Sequence, residues 1–302
     1  MDVAPSERAL RPPSATLSFV LIAVLCLIWG STWLVIKKSL LDLPPLTSAA
    51  VRLVFAALAM AVLAPWLHRY EGGRRPPLWM WLGFGLTQSG ASFGIIYYCE
   101  RVLPSGLSAV LWSVYPLLIA LFGHLLLPQE RLHGRQWLGF GAGFLGVAAI
   151  FASDLTRFGA DAVPMALLLF LSPLMVAFMT ILVKKHGAGV SSLLLNRNGL
   201  CVGAVGLSLV AWLTERDQPA LWSGRALFAV GYLATVGTVV AFGLYFWLMR
   251  SVAAFRLSLI AYVTPAVALV LGWLAGEESI EVNSVLGLAG ILVGVVLATR
   301  RH

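Results

Sequence analysis

The chain has 302 residues, 60% hydrophobic and 11% charged, with a mean hydropathy of +0.90. A soluble domain carries about 25% charged residues, so this composition excludes a soluble enzyme, a disordered regulator and a secreted disulfide scaffold. The net charge is +8, but its Lys and Arg form no cluster longer than two residues and mostly flank apolar runs, which reads as topology control rather than a nucleic-acid-binding face.

A membrane-spanning helix needs about 20 mostly apolar residues, and ten such runs follow one another. Residues 1–16 read as a cytoplasmic tail, in which Arg8 and Arg11 precede the first run, Leu17–Ile36. That run has no small-residue cleavage site, so it reads as a retained span and not a signal peptide. It carries Trp29 and Trp33, four apart on one helical face. The second run, Thr47–Leu67, holds Arg52 about one and a half turns in. A charge in hydrocarbon is costly and faces protein or water. Arg52 therefore reads either as an anion contact or as a packing residue that bonds carbonyls or snorkels outward. On the third run, Leu78–Cys99, Gln88 and Ser92 are four apart and Cys99 follows on roughly the same face. The fourth, Ser105–Leu127, sets Ser108, Trp112 and Tyr115 on one face, with Pro116 near mid-span and His124 near the inner end. The fifth, Gln136–Ala152, is nearly featureless apart from Gly139 and Gly143, and completes a unit over residues 17–152.

A linker, 153–161, leads to a second unit over 162–299. Its runs are Ala162–Val183, Ser192–Leu213, Ala226–Leu248, Leu257–Ala275 and Val282–Thr299. Arg197 lies shallowly in the seventh run. Thr235, Thr238 and Tyr245 share a face of the eighth, and Ser258 and Tyr262 a face of the ninth, which also holds Pro265. Gly290 and Gly294 mark the tenth, and residues 300–302 form a second cytoplasmic tail. Polar stripes in lipid would go unsatisfied, so they face protein or a wet cavity. They read either as a pocket of rings and hydroxyls for an organic solute or as interhelical bonding with Trp in the interface belts. Pro116 and Pro265 each remove a backbone donor, giving matched kinks that act as gates or static bends. The glycine pairs mean close packing within the protomer or a dimer face. Cys26, Cys99 and Cys201 all lie in apolar runs and read as buried free thiols.

With the first tail in the cytoplasm, thirteen Lys and Arg fall inside and six outside, leaving Arg52 and Arg197 in the membrane. This obeys the positive-inside rule and places both termini in the cytoplasm. The two units also resemble each other. At an offset of 148–149 residues, Arg101 aligns with Arg250, Pro116 with Pro265, Glu130 with Glu278 and Gly146 with Gly294; Arg52 falls opposite Arg197 at a similar offset. Five spans is an odd number, so the second unit is expected upside down relative to the first. The basic loop at Arg131–Arg135 and its acidic counterpart at Glu277–Glu281 fit that inversion. Inverted repeats place a binding site between the halves, and rocking gives alternating access.

Three segments, WGSTWLVIKKSLLDLPPLTSAAVR (Trp29–Arg52), PSGLSAVLWSVYPLLIALFGHLLLPQERLHGRQWLG (Pro104–Gly139) and AAFRLSLIAYVTPAVALVLGWLAGEESIEVNSVLGLAGILVGV (Ala253–Val295), resemble EamA-type members of the drug/metabolite transporter superfamily. The resemblance covers nearly the whole chain. It implies ten helices in two inverted five-helix repeats, a central cavity lined mainly by spans 1, 3, 4, 6, 8 and 9, and export or exchange of small metabolites, including amino acids and drugs. Lining residues on those spans would be Trp29, Trp33, Gln88, Ser92, Trp112, Tyr115, Thr235, Thr238, Tyr245 and Tyr262. The second half departs from the Glu-Arg-Leu of the first by reading Glu278-Ser279-Ile280.

No span interior holds Asp or Glu, no His/Cys pair has metal-ligand spacing and no glycine-rich phosphate loop precedes a lysine. The expectation is an all-α integral membrane protein with no catalytic residue, metal or cofactor. It is a secondary-active or facilitative transporter, exporting a small organic metabolite such as an amino acid across the inner (plasma) membrane. Glu100 could serve protons at the cavity mouth. Expected partners are the solute and the bilayer, with no nucleic acid, as a monomer or homodimer. Rival readings are a channel-like facilitator, a multidrug exporter and an integral-membrane enzyme, which would want His, Asp or Glu clustered at one membrane face.

Overall fold

The computed structural model describes residues 14–128, 132, 134–153, 161–249, 254–276 and 282–299. Among these, ten helical rods follow in order and no strand occurs: α1 (Ala15–Ser39), α2 (Pro45–Glu71), α3 (78–99), α4 (Ser105–Leu126), α5 (Gly134–Ser153), α6 (Ala162–His186), α7 (Ser192–Glu215), α8 (224–249), α9 (Ala254–Leu274) and α10 (Val282–Thr299). By length and composition α1, α2, α4, α6, α7 and α8 can each cross a membrane. Large apolar side chains such as Phe19, Val62, Leu145, Val205 and Phe228 are exposed on the outside. The chain is an all-α, multi-pass membrane protein. Residues 1–13 of the first tail, the second tail, Arg250, Glu130, Arg131, most of the 153–161 linker and the Glu277–Glu281 loop lie outside the described residues.

Local chemistry sets the helix starts. Pro44, Pro77 and Pro104 precede α2, α3 and α4, where a missing N–H costs no helix bond. Ser14, Ser191 and Ser223 accept from Leu17, Leu194 and Ala226 backbone N–H at the starts of α1, α7 and α8. Several ends run past the apolar runs: α2 reaches Glu71, α6 His186 and α7 Glu215.

Two rods carry a wider turn at equivalent places, Gly85–Ala91 in α3 and Thr235–Val240 in α8, where the helix runs as π-helix. The two prolines sit in different helical settings. α4 breaks between Trp112 and Tyr115, with Pro116 in the first turn of its second half, whereas α9 stays helical through Pro265. A side chain at Gly30 would stand 2.5 Å from Val267 and 3.2 Å from the Thr264 carbonyl, so α1 lies directly against α9 beside Pro265.

Helix pairing repeats on exchange of each rod for the one five later: α1 packs on α9 as α6 packs on α4, and α3 on α7 as α8 on α2. α2 pairs with α7, and α5 with α10, each a rod with its own counterpart. Both self-pairs are antiparallel. On α5 and α10, a Cβ at Gly146 would meet the Gly287 carbonyl and Gly290, while one at Gly294 would meet Gly139 and Gly143. Rising numbers on one helix thus face falling numbers on the other. The glycine pairs pack within the protomer, as close approach of two backbones requires.

The loops are clipped in the same exchanged way. Arg74, before α3, exchanges backbone bonds with Gly189 and Ser191 between α6 and α7. Asp42, between α1 and α2, accepts from Arg225 Nε at 2.8 Å, from its Nη2 at 2.6 Å and from Ser223 Oγ at 2.6 Å before α8. These donors hold the Asp42 carboxyl down at about 2. One thiol departs from expectation: Cys26 and Cys99 are buried, but Cys201 is exposed, its apolar-run position being on the outward face of α7.

Candidate functional site

Eight of the expected site residues, Trp29, Trp33, Arg52, Ser92, Trp112, Tyr115, Thr238 and Tyr245, fall in three groups. α1 and α8 form the first. Trp29 lies against Phe242 and Tyr245, with ring centroids 5.6 and 5.5 Å away and tilted planes. Tilted rings at this range favour the edge of one over the face of another.

α1, α3, α4 and α6 form the second group. Trp112 stacks on Tyr115 at 4.9 Å and tilts toward Trp33 at 6.5 Å. Its indole Nε1 donates to Ser172 Oγ at 3.0 Å, and Ser172 and Ser92 share a 2.7 Å hydroxyl bond. Tyr115 Oη lies 3.2 Å from Thr180 Oγ1, which donates to its own helix at Val176. Ser172 and Thr180 sit in a run that looks featureless in sequence. Ser172 and Ser92 are buried and bonded to each other, whereas the buried Ser108 hydroxyl on α4 has no partner among the described residues.

The third group surrounds Arg52, which is 3% exposed. Its Nε donates to Thr238 Oγ1 at 3.1 Å and its Nη1 to Tyr97 Oη at 3.3 Å. Its carbon centre stands 4.5 Å from the Phe93 ring centroid. Arg52 therefore does not snorkel outward. Thr238 in turn donates to the Leu233 carbonyl five residues back, an offset that the wide turn of α8 supplies. Tyr97 and Phe93 carried no signal in sequence beyond a spacing of four on the face next to Arg52.

Other expectations land differently. Thr235 and Thr238 do not share a face: Thr235 is exposed and its hydroxyl turns back to Gly231, because the π-helix resets the periodicity between them. Gln88 sits within the π-helix of α3 and is half-buried, while Ser92, four residues on, is buried. Tyr262 lies on α9, its side chain outside the described set. Arg197 is half-buried and binds only its neighbour, with Nε and Nη2 both donating to Asn198 Oδ1. The pair Arg52 and Arg197 is thus equivalent in sequence but not in environment. Glu100 is fully buried rather than open at a mouth, and Lys37 Nζ donates to the main-chain carbonyls of Glu100 and Leu103. His124 Nδ1 accepts from the Leu132 backbone N–H at 3.0 Å. Among the described residues no group of His, Cys, Asp and Glu could hold a metal. An outward cleft of about 230 Å³ beside Thr47 and Arg216 contains none of these residues.

Comparison with known proteins agrees with this architecture. The model of the EamA-like transporter family matches residues 16–152 and 163–300. The uncharacterized inner membrane transporter YedA of Escherichia coli K12 is 30% identical over 286 residues, covering 93% of this chain and 90% of YedA. The uncharacterized transporter YoaV of Bacillus subtilis is 24% identical over 273 residues, covering 90% of this chain and 93% of YoaV. A solved crystal structure superposes with a TM-score of 0.68 at 20% identity, over 95% of this chain and 98% of that one, a likeness of fold.

Proposed function

The chain belongs to the EamA-like transporter family, and from that premise we propose that it is a carrier for a small organic metabolite, an exporter working by alternating access of one central site. The observation that carries this reading is the exchanged pairing of the two units. Counterpart helices α2/α7 and α5/α10 run antiparallel and clamp each other at defined points. Five helices per unit and antiparallel counterparts are what an inverted repeat needs, and inverted repeats make two mouths out of one design. The ring and hydroxyl groups between the units supply the surface on which an organic solute would rest. In this reading all ten rods cross the bacterial inner membrane, with both termini in the cytoplasm, the orientation that the distribution of Lys and Arg favours.

Reconstitution into liposomes tests the proposal. Labelled solute should enter vesicles preloaded with the same unlabelled solute, saturably and faster than into empty ones, for at least one member of a panel of amino acids, organic acids and cationic drugs. Flux that rises linearly with concentration and ignores preloading would replace the carrier with a channel-like facilitator.

A further inference from the structure

Arg52 is a cation in a place that does not neutralise it. Among the described residues no carboxylate lies within ion-pair distance of it. A guanidinium has five N–H donors, and two of them are taken, by Thr238 and Tyr97, both neutral hydroxyls. The Phe93 ring covers one face. What is left over is the end of the fork: one hydrogen on Nη1 and both on Nη2. Two parallel N–H groups on that edge match the two oxygens of a carboxylate.

Other charges stand nearby. Glu100 follows the last residue of α3, three residues past Tyr97, and is fully buried. Half-buried Lys37 of α1 places its ammonium on the Glu100 main-chain carbonyl, 2.5 Å away. Charges within a membrane protein are expensive and are kept where they meet an opposite charge.

The free edge also lies close to α1 and α8, which carry the first ring group. Gly237 of α8 lies in the π-helix, and a Cβ there would stand 3.0 Å from the Thr32 methyl and 3.6 Å from Arg52 Nη2. Nη2 therefore lies where α1, α2 and α8 meet. On α1, Thr32 is flanked by Trp33 of the second ring group, and its hydroxyl donates to the carbonyl of Trp29 in the first.

We infer that Arg52 anchors the carboxylate of the transported solute, with the apolar part of the solute lying on the Trp29 and Trp33 ring groups. This rests on the carrier reading above and narrows its substrate to organic acids, including zwitterionic ones. An anionic phospholipid headgroup shares the chemistry, so the test separates the two.

The test uses matched acids and amides: benzoate and benzamide, lactate and lactamide, leucine and leucinamide. Thermal unfolding of the detergent-solubilised chain reports binding, since a ligand of the folded state raises the midpoint. In the wild type at least one acid should act at a concentration about tenfold or more below its amide. Arg52→Gln should abolish that preference, while Arg52→Lys, which keeps the charge but not the fork, should retain it with weaker binding. If Arg52→Gln does not fold, Tyr97→Phe and Thr238→Val, which free the guanidinium, should still shift the acid response and leave the amide response alone.

Equal action of acid and amide, a preference that survives Arg52→Gln, or no response to any acid overturns the inference. So does a midpoint shift by phosphatidylglycerol, dependent on Arg52, when no small acid gives one. Counterflow in liposomes is read separately. Arg52-dependent acid binding without counterflow would defeat the carrier reading and leave the anchor standing. Counterflow of neutral or cationic solutes that is indifferent to Arg52→Gln would do the reverse.

Discussion

Glu71 and Glu215 each cap the other's helix. Glu71, the last residue of α2, accepts from the Ser191 and Ser192 hydroxyls and from the Leu193 N–H at 3.2 Å, at the start of α7. Glu215, the last residue of α7, accepts from the Leu46 N–H at 3.0 Å, the Thr47 N–H at 2.7 Å and the Thr47 hydroxyl at 2.8 Å, at the start of α2. A carboxylate at a helix N-terminus satisfies orphan donors and opposes the positive end of the dipole. Here the arrangement occurs twice, at opposite ends of one antiparallel pair.

Replacing either carboxylate by Ala should cost about 1–2 kcal/mol, the usual worth of a cap. The two caps are separated by the length of α2, about 40 Å for its 27 residues. Sites this far apart add, so Glu71→Ala with Glu215→Ala should lower the unfolding midpoint by the sum of the single shifts. A double variant no worse than one single variant would contradict two independent clamps.

The α5/α10 contact makes a contrast between neighbouring glycines. A Cβ at Gly146 meets backbone atoms of α10 at 2.7 to 3.1 Å, and one at Gly294 meets backbone of α5 at 2.5 to 2.7 Å. Backbone cannot swing aside as a side chain can. Gly146→Ala and Gly294→Ala should each destabilise by about 1–3 kcal/mol. At Gly141 nothing lies within 4 Å. Gly141→Ala should be neutral or stabilising by up to about 1 kcal/mol, through the entropy of the unfolded chain. Thermal unfolding of the three variants side by side checks the order.

Much of this was readable from the residues, and the limits have physical causes. Apolar runs located all ten rods, because hydrocarbon demands a continuous apolar stretch. The ends were set too short at Glu71 and Glu215, where each helix runs past its apolar stretch to place a carboxylate on the start of the other. The stripes Gln88/Ser92 and Thr235/Thr238 assumed an unbroken α-helical period, and both cross a π-helix. Composition gives no warning of that turn. Arg52 was visible as an oddity, but its partners Tyr97, Phe93 and Thr238 come from two other helices and only packing unites them. The Pro116/Pro265 match is real in sequence, but Pro116 opens the second half of a broken rod and Pro265 lies inside a continuous helix.

Ser172 joins two helices to α6 through Ser92 Oγ and Trp112 Nε1. Ser172→Ala leaves the Trp112 N–H and the Ser92 hydroxyl facing a methyl group. A loss of about 1–3 kcal/mol is expected, with a red-shifted tryptophan emission as Trp112 loosens from Tyr115. An unchanged spectrum and midpoint would remove Ser172 from the support of the ring stack.

Asp42 gives a pH signature. Its carboxyl is held at about 2 by Arg225 and Ser223, below the ordinary value of about 3.9 in an unfolded chain. A depressed value means that the stabilisation is complete above the unfolded value and is lost as pH falls through the folded one. The unfolding midpoint of the wild type should therefore drop between pH of about 4 and about 2. Asp42→Asn should start lower at neutral pH and lose less over that window. Equal slopes for the two proteins would show that the Asp42–Arg225 clip contributes nothing to stability.

The inversion of the two units is open to direct measurement at Leu41 and Ala188. These residues occupy corresponding places, each following a helix that closes on a lysine pair, Lys37-Lys38 on α1 and Lys184-Lys185 on α6. Both are exposed. In a chain whose native cysteines are replaced, a single cysteine at each position is treated with a membrane-impermeant maleimide. The cysteine at 41 should label on intact cells, and the one at 188 only after the membrane is opened. Labelling of both from the same side would contradict the inverted arrangement, and with it the single site that opens in turn to each face.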